Sequence, residues 1–71
     1  MESEMKELDA LLEYIIKHHK EHLEEINTLA QKAIGLGKTK VYDDLLKSIE
    51  QMNRSNESLK KALENLREKS Q

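Results

Sequence analysis

Seventy-one residues with no cysteine, 37% of them charged and with a formal net charge of −2, make one domain at most and offer no disulfide or thiolate metal site to staple it. Tyr14 and Tyr42 are the only aromatic residues and the lysines are interleaved with glutamates, so neither a basic stripe for phosphates nor a stacking platform for bases is present, which excludes nucleic-acid binding. The acidic start Met1-Glu2-Ser3-Glu4, and the absence of any uncharged apolar run near the ~20 residues that span a bilayer, exclude a signal peptide and a membrane span and predict a cytoplasmic protein.

The first helix is predicted over about residues 4–34, with Ser3 as N-cap and Glu4 and Glu7 in the first turn, where they suit the helix dipole. Its apolar or seam residues fall at Met5, Leu8, Leu12, Ile15, His19, His22, Ile26, Leu29 and Ala33, in alternating steps of three and four. That is a heptad seam. Leu11, Ile16, Leu23 and Ala30 sit beside it and widen the apolar face.

His18, His19 and His22 are the only histidines, and all fall within two turns of this helix. Residues three or four apart share a helix face, so His19 with His22, and His18 with His22, can each grip one ion. The predicted metal set is His18, His19, His22 and Glu25, with Glu25 or Glu21 as an oxygen ligand or an outer acceptor, and the ion is Ni, Zn, Cu or Co.

A turn is predicted at 35–39, with Gly35 as the left-handed residue ending the helix, Leu36 as the apolar contact after it and Thr39 as the next N-cap. Gly35-Leu36-Gly37-Lys38-Thr39 carries the Gly-Lys-Thr end of a phosphate-binding loop. Lys32 stands where that loop needs its first glycine, and a helix precedes it where a strand belongs, so nucleotide binding is not expected.

The second helix is predicted over about 40–68, with a seam of Tyr42, Leu45, Ile49, Met52, Asn56, Leu59, Leu63 and Leu66, flanked by Leu46; Lys69-Ser70-Gln71 are expected to fray. The short connection forces the helices antiparallel. The expected fold is therefore all-α, a single domain over 1–71: an antiparallel two-helix hairpin whose wide apolar face dimerises into a four-helix bundle.

Folding the chain about its turn sets Asn56 level with His19, and Met52 and Asn53 level with His22, which predicts a buried polar layer of Asn53, Asn56 and Met52 against the histidines. Three readings stay open: a hydrogen-bonded layer that fixes register, a transition-metal site doubled by dimerisation, and a haem held between His22 and Met52. Catalysis is not expected. There is no cysteine nucleophile, and the carboxylate pairs Glu24-Glu25 and Asp43-Asp44 are adjacent in sequence and point apart. The expected function is a self-associating helical binding or scaffold module with a transition-metal site; the alternative is a purely structural interaction module with no ligand, paired with its own copy or with another helical protein.

The segment Tyr14-Ile15-Ile16-Lys17-His18-His19-Lys20-Glu21-His22-Leu23-Glu24-Glu25 resembles a family of short, uncharacterised prokaryotic helical-hairpin domains, in which tyrosine, two histidines and an acidic residue recur at these spacings. Ser55-Asn56-Glu57-Ser58-Leu59-Lys60-Lys61-Ala62-Leu63 is similar to the family's late segment, so the resemblance runs from about Leu11 to Leu66. It implies a hairpin fold, marks His18, His22, Glu25 and Asn56 as positions of interest, and hints at metal handling, because such domains often follow a histidine-rich stretch. The chain departs from the family in lacking that stretch, in having His19 where asparagine is usual, and in having Ser55 where glycine is common.

Overall fold

The computed structural model describes residues 2–68, so the expectation for Lys69 to Gln71 lies outside the described residues. Two helices make up the chain, α1 (Glu2–Gly35) and α2 (Thr39–Arg67), packed on each other with no strand among the described residues. Hydrogen bonds between residues 37 and 58 positions apart, His19 with Asn56 and Asp9 with Arg67, fix the helices antiparallel. The molecule is a rod of 53 × 17 × 11 Å. None of its described helices is long and apolar enough to cross a membrane.

Helix-forming composition explains the length of both elements: the chain has no proline, and its two glycines lie at 35 and 37. Glu2 and Glu4 in the first turn of α1 and Lys32 in its last turn complement the helix dipole, as Arg67 does at the end of α2. Ser3 is not the cap expected of it, because α1 already includes Glu2.

The turn also differs from expectation. Gly35 is still helical, and Gly37 takes the left-handed conformation at φ 74°. Around it the Lys38 N–H donates to the Ala33 carbonyl (2.9 Å) and the Gly37 N–H to the Ile34 carbonyl (3.0 Å), the paired bonds of a Schellman motif with Gly37 as C′. An L side chain at that φ would set its Cβ against the backbone, so Gly37 is the glycine the turn needs. Leu36 is 76% exposed and makes no apolar closure, and Lys38, with no side-chain cap, occupies the N-cap position expected for Thr39.

On α2 every predicted seam residue faces inward: Asn56 and Leu63 are buried, and Tyr42, Leu45, Ile49, Met52, Leu59 and Leu66 are half-buried. On α1 only one of the two predicted rows does. Leu12, His19, Ile26 and Ala33 face α2, but their companions are Asp9, Ile16, Leu23 and Ala30, while Met5, Leu8, Ile15, His22 and Leu29 are exposed. The two candidate rows lie on either side of the Leu12–Ala33 row. The row chosen buries one histidine, which Asn56 satisfies; the alternative would have buried His22 as well, at the cost of desolvating a second imidazole. Near the turn, Ala30 and Ala33 become the most buried apolar residues, at 0% and 6% exposure.

Candidate functional site

The histidines divide between two faces of α1, because each residue turns the helix by about 100°. His19 faces inward. Its Nδ1 lies 2.9 Å from Asn56 Oδ1, and Asn56 Nδ2 donates to the Ile16 carbonyl at 3.2 Å. That carbonyl can only accept, so the Asn56 amide presents its oxygen to His19, and the His19 Nδ1 must carry a proton. Asn56 is buried at 5% exposure with both ends of its amide used, and no buried side-chain polar atom among the described residues lacks a partner. Of the predicted polar layer, Asn56 alone is buried; Met52 is half-buried, and Asn53 is exposed because it falls one residue past the seam.

His18 and His22 face outward and touch. Their Nε2 atoms are 3.0 Å apart, with rings in an edge-to-face arrangement at 84° and centroids 4.5 Å apart. Tyr14 stacks on the other side of His18, with centroids 5.5 Å apart and the rings 11° from parallel. At the far end, His22 Nδ1 is 3.0 Å from Glu25 Oε1. The spacing Tyr-x3-His-x3-His-x2-Glu is thus one continuous ladder along a single helix face, four side chains each touching the next.

The ladder dictates where protons sit. A carboxylate accepts, so His22 Nδ1 carries hydrogen; neutral His22 then offers its Nε2 lone pair, and His18 supplies the one proton between the two nitrogens. The predicted ligands are therefore not all brought together. His18, His22 and Glu25 are contiguous, but Glu25 meets the opposite nitrogen of His22 from the one facing His18, and His19 lies on the other face. No three His, Cys, Asp or Glu side chains among the described residues converge as a metal cage. Glu21 and Glu24 line the shallow surface depression beside the pair, together with Thr28. The haem arrangement is not assembled either: His22 turns outward, while Met52 is half-buried along the seam.

At the open end of the rod, sequence reasoning missed a clamp. Arg67 forms a fork on Asp9, Nε to Oδ2 and Nη2 to Oδ1 each at 2.8 Å, and Nη2 reaches Glu13 Oε1 at 2.9 Å. The hydrogen bond from Arg67 holds the Asp9 carboxyl below its usual pKa, with Coulombic attraction adding to it and desolvation opposing. Arg67 is in turn pushed above its usual range, by its bonds to Asp9 first and Glu13 second. The signal for this clamp was available, since the same folding about the turn that levels His19 with Asn56 levels Asp9 with Arg67.

Among known protein families, the model of a domain of unknown function, DUF8180, matches residues 8–66. No curated protein and no solved structure matches the chain.

Proposed function

Because the chain belongs to the DUF8180 family, a domain of unknown function, it inherits no activity from its relatives, and we propose from its surface that it is a self-association module in which α1 packs against α1 of a second copy. The observation that supports this is excess exposed surface that carries large apolar side chains of α1. The chain exposes 5,920 Å², whereas a compact monomer of 8.3 kDa exposes about 4,600 Å². The difference exceeds the roughly 800 Å² that each partner buries in a standard interface.

That area is organised. Leu8, Leu11 and Leu29 are 48%, 52% and 52% exposed, and with Ile15 they form a stripe, interrupted in its middle by His18, His22 and Glu25, on the face of α1 turned away from the Asp9–Arg67 clamp. Glu4 lies at one end of the stripe and Lys32 at the other, seven-residue steps apart on the same row. A parallel copy sets like charges side by side, whereas an antiparallel copy with Leu11 opposite Leu29 brings Glu4 within about one turn of Lys32 at both ends. The product is an antiparallel dimer of hairpins, a four-helix bundle whose second apolar layer is this stripe.

Sedimentation equilibrium at micromolar concentration tests it. The expected mass is twice that of the chain, falling to the chain mass in Ile15→Asp with helicity retained. A wild-type protein that stays a monomer across that range overturns the reading.

A further inference from the structure

We propose that His18 and His22 are half of a transition-metal site, which the same two residues of the second copy complete across the interface; this rests on the self-association reading above. Nitrogen ligands bind first-row ions at about 2.0–2.1 Å, which sets two cis ligands of one ion about 2.9–3.4 Å apart. The two Nε2 atoms are 3.0 Å apart, so once each ring turns to aim its lone pair beside the line between them, one ion can replace the proton they share. For that exchange His18 moves its proton from Nε2 to Nδ1, and both imidazoles ligate in the neutral form.

The orientation is prepared before any ion arrives. Glu25 accepts from His22 Nδ1, which fixes the tautomer that leaves Nε2 free and makes the ring a better donor. Tyr14 packs flat on His18 and limits its rotation. The hairpin itself has no need of this arrangement. Its one inward-facing histidine is the half-buried His19, and the ladder lies on the outer face, where an exposed hydrogen bond contributes little to stability.

Two imidazoles make an incomplete coordination sphere, and no third protein ligand stands beside them in the single chain among the described residues. The missing ligands come from symmetry. The pair lies near the middle of the 34-residue α1 and within the exposed stripe, with Leu8, Leu11 and Ile15 before it and Leu29 after it. An antiparallel copy set with Leu11 opposite Leu29 also sets His18 opposite His22 of the second copy, because both pairs are centred on the same point of the helix, so the second pair arrives alongside the first. The result is a nitrogen-only set of up to four imidazoles, a donor set suited to Ni, Cu or Zn ions, bounded by apolar side chains on both sides.

Calorimetric titration of the untagged chain with Ni, Cu and Zn chlorides, run beside sedimentation of the same samples, tests the site. The expected result for at least one of these ions is saturable binding tighter than ~10 μM at one ion per two chains, with a melting temperature that rises with ion concentration. His18→Gln and His22→Gln should each weaken binding at least tenfold while remaining dimeric, and Glu25→Ala should weaken it about tenfold through loss of the outer acceptor. Ile15→Asp, which keeps every ligand but is monomeric, should lose the shared stoichiometry. A dimer that binds none of the three ions overturns the site and leaves self-association standing. One ion per chain, bound equally by monomeric Ile15→Asp, overturns the sharing. A monomer that binds nothing overturns both.

Discussion

His19 and the His18–His22 pair come from the same two turns of α1 and meet opposite surroundings. His19 is half-buried, held by an asparagine from the other helix that is itself anchored on the Ile16 carbonyl. The pair is exposed and held only by neighbours on its own helix, Tyr14 and Glu25. The inner contact closes a pairing 37 residues long and so belongs to the fold, whereas the outer ladder would survive on an isolated helix of the same sequence. Clustering in sequence therefore does not make a site; the helical angle sorts the members, and only the set left facing outward is free to bind something else.

The strongest way to break this comparison is to place one charge on each face. Leu23→Asp puts an unpaired carboxylate on the inner row and should cost on the order of 3–5 kcal/mol, enough to unfold so small a hairpin, as read by urea denaturation. Ile15→Asp on the outer row should dissociate the dimer and keep the helices. Were Ile15 and Leu29 the row that packs on α2, these two outcomes would be exchanged.

At the histidines themselves, Asn56→Ala leaves the His19 Nδ1–H without its acceptor and should cost about 1–3 kcal/mol. His18→Gln, on the outer face, should change the stability of metal-free protein by less than about 0.5 kcal/mol. Replacing both inner partners sharpens the contrast: His19→Leu with Asn56→Leu should recover most of what Asn56→Ala loses, because neither polar group is then left alone. Equal losses at Asn56 and His18 would erase the distinction between the faces.

The smallest effect concerns acid. Arg67 lowers the Asp9 pKa in the folded state below its ordinary 3.8, so the clamp's contribution is fully present above that value and is lost as pH falls through the folded pKa. The melting temperature of wild type should exceed that of Asp9→Asn by a constant margin at neutral pH, and the margin should close only below about pH 3.8. A margin already absent at neutral pH would show that the clamp contributes nothing to the fold.

How much of this was legible follows from what each pattern specifies. All eight seam residues of α2 were readable, because few apolar residues, Val41, Leu46 and Ala62, lie outside its seam and they form no second row. Helix α1 has apolar residues on three adjacent rows, and a lone sequence does not say which outer row meets its own hairpin partner and which is left exposed. Its central row, Leu12, His19, Ile26 and Ala33, was right and its companion was not. The same ambiguity hid the arrangement at His22, which was taken for a seam residue and is exposed. The His19–Asn56 contact was predictable from folding about the turn. The Asp9–Arg67 clamp obeys the same rule, but apolar periodicity does not mark it because both of its residues are charged. Between Gly35 and Gly37 composition offers no choice; the backbone angle at Gly37 decides it.

Gly37 closes the turn, between Lys38 and Ala33, and every cross-helix pairing beyond it encloses more chain: 37 positions at His19–Asn56, then 58 at Asp9–Arg67. Once the turn has formed, each further layer needs only a short search, so the hairpin should zip from its closed end outward, in the fast regime of chains with few distant contacts. Arg67 is then the last latch to engage and the first to release. Backbone amides near Asp9 and Arg67 should exchange their hydrogens at lower free energy than those near Ala30 and Leu45, giving the rod a gradient of permanence from one end to the other.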